Sequence, residues 1–417
     1  MTERRVVVTG LGAVCCAGNS MDELWANLVA GKSGIGSITL FDATGLPCPV
    51  GEVRNYAPPD VSPKEARRMA RFTRFAVGAA DEAMTSAGLT RGRTDNGIDP
   101  FRFGVLFSNG AGGVEEYDRN AGILDQRGPD GVSAFFIPKY ISNAASGTLA
   151  IRWKLRGPNF DPVAACASSA NAVGEAMWMI KRGDADLMLS GGTEACLTRL
   201  MTSGFDSLTA LSRGTPPETA CRPFDRDRDG FVLAEGAAAL VLEELEHARK
   251  RGAGILAEVV GYGVSCDAAH ITAPDPEGTG MIRAVRNAMR MAECSPGDIG
   301  AIYAHGTGTV ANDRVEAKVF RAVFGDDLAR IRICAVKSMI GHALAAAGAL
   351  ALAAAVRTLQ SGILPPTINY RTPDPECGGL DVNPGGAAKI DPRLVLADSL
   401  GFGGHNAALI LKKWEGR

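Results

Sequence analysis

A chain of 417 residues, 46% of them apolar and 22% charged, has enough apolar surface for two packed units or one large α/β unit. Its formal net charge of -2 gives no general attraction for nucleic acid, and the longest apolar stretch, Ala343 to Val356, is Ala-rich and too short to cross a membrane. The start, Met1 to Gly10, lacks the apolar stretch of a signal peptide. Ten cysteines with no C-x-x-C pair and no metal-ligand spacing to histidine fit a reducing, cytoplasmic compartment.

In chain order, Arg5-Val-Val-Val-Thr9 predicts a first strand, and Gly10-Leu-Gly12 a tight turn leaving it. A dinucleotide fingerprint is disfavoured there, because position 15 is Cys where the third glycine should stand and no convincing acidic partner follows a second strand. Ser62-Pro63 is a good cap and first-turn pair. Lys64, Arg67, Arg68 and Arg71 follow at i, i+3, i+4 and i+7 and predict one basic helix face, which is most often simply solvated. A strand is expected over 103–107. Cys166 then lies in Pro162-Val-Ala-Ala-Cys-Ala-Ser-Ser-Ala-Asn171, between a strand end and a helix marked by Val173, Met177 and Ile180 and stopped by Gly183. Unpaired N–H groups at a helix start favour thiolate over thiol, so this position predicts a lowered pKa and a nucleophile. The opposing reading is a small buried hydrophobe, one of ten cysteines.

Strands at 186–190 and 238–242 complete a first α/β series. A second series has strands at 255–260, 299–304, 331–336 and 407–412. The junction at Arg249-Lys-Arg-Gly-Ala-Gly254 divides the chain into 1–253 and 254–417, two halves expected to share one core. Only five histidines occur. His305, in Ala304-His-Gly-Thr-Gly-Thr309, and His342, in Lys337-Ser-Met-Ile-Gly-His342, each stand after an apolar strand and together suggest a site. Lys337 and Glu316 could equally form a structural ion pair.

Together Cys166, the His305 motif, Lys337-Ser-x-x-Gly-His342 and Gly401-Phe-Gly-Gly-His-Asn406 resemble the elongating 3-oxoacyl-[acyl-carrier-protein] synthases of the KAS I/II type. The resemblance runs from Arg4 to the last strand, includes Arg222-Pro-Phe-Asp-Arg-Asp-Arg-Asp-Gly-Phe-Val-Leu-Ala-Glu-Gly236, and extends to the ketosynthase subunits of type II polyketide systems. It implies the thiolase fold, two duplicated halves in five αβαβα layers, usually dimeric. Cys166 would carry the acyl chain, and His305 and His342 would stabilise the enolate formed by decarboxylation. Backbone N–H groups of Cys166 and Phe402 would hold the second oxyanion, with Leu400, Gly401, Phe402 and Gly403 forming a flexible gating loop. Lys337 and Glu316 would support the histidines electrostatically. No metal and no cofactor is implied. Acyl- and malonyl-loaded acyl carrier protein would be the partner, in a homodimer or in a heterodimer with a chain-length-factor-like subunit. A non-catalytic chain-length factor is the alternative, disfavoured by the presence of Cys166.

His270 matches a family position near the cleft mouth, and His405 stands where Thr is common. Departures from the relatives fall at Asp398 and Leu400 (Asp398-Ser-Leu-Gly-Phe-Gly-Gly404 against Asn-Ser-Phe-Gly-Phe-Gly-Gly), Val310, Val336 and Ala111. Ala111 stands where KAS II enzymes often have a bulkier aliphatic residue, which opens the expected acyl pocket to longer or rigid unsaturated chains. Lys64 and Arg68 align with basic docking positions, so the resemblance turns that face into a carrier-protein site.

Overall fold

The computed structural model describes residues 4–91 and 98–416. Of the two expected halves, residues 1–3, 92–97 and 417 therefore lie outside the description. Ten strands form the main sheet: β1 (Val6–Cys15), β2 (Phe103–Ser108), β3 (Asn159–Phe160), β4 (Leu187–Glu194), β5 (Gly236–Glu244), β6 (Ala257–Cys266), β7 (Ile299–Tyr303), β8 (Arg332–Cys334), β9 (Leu394–Gly401) and β10 (His405–Lys413). Their order is β8-β7-β9-β10-β6-β1-β5-β4-β2-β3. Each set of five has the same internal order: outward from the centre, first strand, fifth, fourth, second, third. At the centre the sets pair antiparallel at Val7–Glu258 and Val8–Ala257.

Five helices build the layers: α1 (Arg71–Ser86), α2 (Ser168–Arg182), α3 (Thr279–Met291), α4 (Val310–Phe324) and α5 (Ala347–Ser361). α1 packs on β1, β4 and β5, and α3 on β6 and β10, which places them on the outer faces of the two strand sets. α2 and α5 contact each other and strands of both sets. The buried core follows the same division, one apolar cluster around α1, one around α3 and α4, and a central one containing α2 and α5. This is the five-layer αβαβα thiolase arrangement.

Leu350, Leu352, Val356 and Leu359 of α5 are at most 1% exposed, each burial contributing roughly 1.5–3 kcal/mol. The segment Leu344–Ser361 is in fact long and apolar enough for a membrane span, which corrects the reading from its sequence. However, 83% of it is buried inside the fold, as a core helix requires.

The central helices are matched. Each has 15 residues and follows a single 3₁₀ turn, Ala165–Ala167 or Leu344–Ala346. The first residue of each turn is left-handed although it carries a side chain, with φ 48° at Ala165 and 42° at Leu344. Such a backbone costs about 1–2 kcal/mol and is held only where its surroundings enforce it. These two corners pack against each other.

Two local expectations fail. Gly10 and Gly12 do not turn the chain; they lie inside β1, where an added Cβ would meet Ala83 O and Ala79 O of α1 at 2.0 Å each. They are glycine because a helix backbone rests on them. The basic segment is also not one helix. Pro63–Ala66 makes a single turn capped by Ser62, the chain breaks, and α1 restarts at Arg71 after the extended Ala70.

Candidate active site

Cys166 occupies the 3₁₀ turn ahead of α2 and is 9% exposed, packed in a cluster with Val114, Leu211, Phe231 and Leu344. The left-handed Ala165 turns the strand end into this corner. Here the chemistry departs from the expectation of a lowered pKa. Burial pushes the Cys166 thiol up to about 11, with Lys337 and the backbone N–H groups of Phe402 and Cys166 pulling the other way. Loss of hydration outweighs the helix start because the sulfur faces apolar side chains and the buried Glu194 carboxyl. The resting form is the thiol.

His305 follows the end of β7 after one intervening residue, Ala304, and is 3% exposed; His342 is 2% exposed. A one-turn helix, Lys337–Ile340, separates β8 from His342, where a direct strand-to-histidine corner was expected. The two imidazoles stand edge to face, centroids 5.3 Å apart and planes at 89°. Phe231 packs against the other side of His342 at 5.4 Å. Burial and the Lys337 cation hold both histidines well below the usual imidazole value, so both are neutral. Lys337 Nζ donates to His305 O at 2.5 Å and reaches His305 Nδ1 at 3.4 Å, which leaves the ring proton on Nε2. Burial lowers the Lys337 pKa while Glu316, Cys166 and Asp398 raise it.

Glu316, from the buried face of α4, does not ion-pair with Lys337. It accepts instead from Gly306 N at 2.9 Å and Asn312 Nδ2 at 3.0 Å. Asp398 of β9 accepts from His305 N at 3.0 Å. Leu400 to Asn406 forms a hairpin with Leu400 opposite Asn406 and Gly401 opposite His405. Gly403 N bonds to Ile271 O at 2.7 Å and Asp267 N to Gly404 O at 2.9 Å, so the expected gating loop is a tight turn tied to the 266–272 segment. An added Cβ on Gly401 would lie 3.2 Å from Cys166 N and 2.6 Å from Ala164 O, which is why a residue without a side chain stands there. Phe402 is 36% exposed and Leu400 buried.

A cavity of about 540 Å³ joins these groups. Cys166, His305, His342, Leu400, Gly401 and Phe402 border it, and Ala111 contributes wall. Lys337 and Glu316 stand outside, behind His305. Glu194, at the end of β4, borders the cavity and was not singled out from sequence. Its carboxyl is held by Asn109 Nδ2 at 3.1 Å and by the N–H groups of Gly110, Ala111 and Ala345 at 3.2–3.3 Å. Burial raises its pKa to about 7. No periodicity or spacing marks it; only the sheet topology brings β4 to Cys166.

Of the basic set, Lys64, Arg67 and Arg68 are exposed, and the Arg68 guanidinium lies 5.5 Å from the Phe135 ring centroid. Arg71 is different. Its Nε donates to buried Glu235 at 2.8 Å and its Nη2 to Val53 O at 2.6 Å, because α1 begins there and turns the side chain inward. It leaves the surface set. His270 is exposed, its Nδ1 accepting from Thr272 N and Ala273 N, which makes it a loop-closing residue outside the cavity wall.

The fold and the cysteine–histidine cavity place the chain among thiolase-fold condensing enzymes. Residues 3–248 match the beta-ketoacyl synthase N-terminal domain and residues 256–371 its C-terminal domain, and the chain belongs to the beta-ketoacyl synthase family. It is 44% identical to the 3-oxoacyl-[acyl-carrier-protein] synthase 2 of Staphylococcus aureus (strain N315), over 99% of both chains. Among solved structures, it is similar to a type II PKS acyl-carrier protein in complex with its ketosynthase bound to the hexaketide (TM-score 0.92, 33% identity, covering 99% of this chain and 100% of that one). It is also similar to the ishigamide ketosynthase/chain length factor (TM-score 0.91, 37% identity, 99% and 100% covered).

Proposed function

We propose that the protein is an elongating β-ketoacyl-[acyl-carrier-protein] synthase that condenses an acyl chain held on Cys166 with malonyl-carrier protein. The observation that carries this reading is the cavity in which one cysteine and two neutral histidines face each other. Cys166 Sγ attacks the acyl thioester carbon, the carrier C–S bond breaks, and the thiol proton passes to the departing pantetheine sulfur. Malonyl-carrier protein then loses CO₂, and the electron pair of the broken C–C bond forms an enolate. The Nε2–H groups of His305 and His342 donate to its oxygen. Neutral imidazoles suit this role: each offers an N–H donor while placing no second cation beside Lys337.

The enolate carbon attacks the Cys166 thioester carbonyl, whose oxygen is held by the N–H groups of Cys166 and Phe402. The C–S bond breaks and the cysteine sulfur takes a proton from solvent. Leu400, Gly401 and Gly403 shape the turn that presents Phe402 N–H. Ala111 leaves room for a longer or rigid unsaturated chain. A chain lacking the nucleophile could not perform the first step, so the presence of Cys166 favours the enzyme over a chain-length-factor role.

The partners are acyl- and malonyl-loaded carrier protein, docked on Lys64, Arg67 and Arg68, and a second ketosynthase-type subunit, either a copy of this chain or a chain-length factor. The short edge strand β3 supports the subunit contact. Phe160 (43%), Val163 (54%), Ile137 (57%) and Ile141 (41%) expose apolar surface around it, which a partner would cover. Ten unbridged cysteines support a cytoplasmic location. The test is condensation of acyl- and malonyl-carrier protein. His305→Ala or His342→Ala should keep acylation but slow decarboxylation about 100-fold or more. Ala111→Ile should shorten the products. Undiminished decarboxylation in either histidine variant would remove that histidine from the reaction, and unchanged chain lengths would remove Ala111 from the pocket.

A further inference from the structure

Asp398 lies against the support of His305. Two consecutive backbone N–H groups, those of His305 and Gly306, donate to two different carboxyls, Asp398 Oδ1 at 3.0 Å and Glu316 Oε2 at 2.9 Å. The carboxyls come from different elements, β9 and α4, and are 2% and 0% exposed. The remaining oxygen of each, Asp398 Oδ2 and Glu316 Oε1, has no hydrogen-bond partner among the described residues. Two adjoining carboxylates with desolvated, unpaired oxygens would repel each other, whereas one proton held between them satisfies both oxygens.

The surrounding charges agree with a single negative charge. Lys337 Nζ is anchored on His305 O, and Asn312 Nδ2 donates to Glu316. Asp313, the third acid on this side, is engaged by Arg228 at 3.4 Å and by Phe224 N at 2.7 Å, so it does not draw on Lys337. The neutral His305 ring adds no charge. Burial raises Glu316 well above the usual carboxylate value and Asp398 to about 7.

We propose that Asp398 is a positioning residue that shares one proton with Glu316, and that this singly charged pair fixes the His305–Gly306 turn and balances protonated Lys337. The proposal rests on the reading of His305 given above, but its spectroscopic test does not. Infrared difference spectra of the unmodified protein against Asp398→Asn and Glu316→Gln, taken at about pH 8, should show a buried neutral-carboxyl C=O band that either substitution removes.

Asp398→Asn keeps an oxygen for the His305 N–H and so preserves the turn. Decarboxylation by the unmodified enzyme should fall at alkaline pH as the pair gains its second charge, and Asp398→Asn should lose that limb. A neutral-carboxyl band missing from the unmodified protein, or surviving in Asp398→Asn, overturns the proposal. So does decarboxylation that requires a monovalent cation, which would bridge the two oxygens in place of a proton. If His305→Ala decarboxylates normally while the band behaves as expected, the functional reading fails and the proton sharing stands.

Discussion

Cys166 combines a corner backbone, which presents its sulfur to the cavity, with an environment that disfavours charge. Its thiol is pushed up to about 11, so the thiolate fraction grows only as pH rises. Alkylation of Cys166 by iodoacetamide should therefore keep accelerating through about pH 11, and Lys337→Met should move the rise to still higher pH, since the lysine cation is what lowers it. A plateau near neutrality would show a thiolate and contradict the dominance of burial. The cysteine and both histidines were legible because each stands in a short motif at an element boundary. The thiol's protonation state was not, because it depends on Phe231, Leu344 and Glu194, residues distant in sequence. Asp398 was visible only as a departure from a pattern; its bond to His305 needs β9 beside β7.

At the scale of elements, the segment from Ser62 to Arg71 separates exposed cations from a packed one. Helical spacing put four cations on one face, yet Ala70 is extended and fully buried, so the chain cannot continue the turn and Arg71 swings to Glu235. Arg68→Glu should weaken carrier-protein binding at low salt and flatten its salt dependence while leaving the melting temperature unchanged. Arg71→Ala should instead lower stability by about 3–5 kcal/mol in chemical denaturation by leaving the Glu235 carboxyl buried and unpaired. Equal binding losses in both variants, without a stability difference, would restore Arg71 to the surface set. The strands were mostly legible from β-branched runs. β9 was missed as a strand: Leu394-Val-Leu-Ala-Asp-Ser-Leu-Gly401 carries a buried Asp and Ser, and the glycines after it read as a loop where the structure makes a hairpin.

On the scale of the whole molecule, one strand order used twice makes the site. Duplication sets α2 and α5 side by side between the two strand sets, and their left-handed first corners bring Cys166 and the segment after His342 together. Letter-by-letter comparison misses this repeat because each half preserves burial and strand order, and the two corners differ in chemistry: one carries Cys166, while the other, Leu344–Ala346, is wholly apolar and follows His342. The alternation of strands and helices gave away the α/β class; the pairing of the halves required the sheet. The most direct measurement is mass spectrometry of the Cys166 peptide after incubation with a panel of acyl-carrier proteins, with and without candidate partner subunits. The Cys166 peptide should gain the acyl mass and lose it in Cys166→Ala and on addition of malonyl-carrier protein. Condensation that proceeds without acyl on Cys166, or acyl settling on another cysteine, would contradict the proposed chemistry.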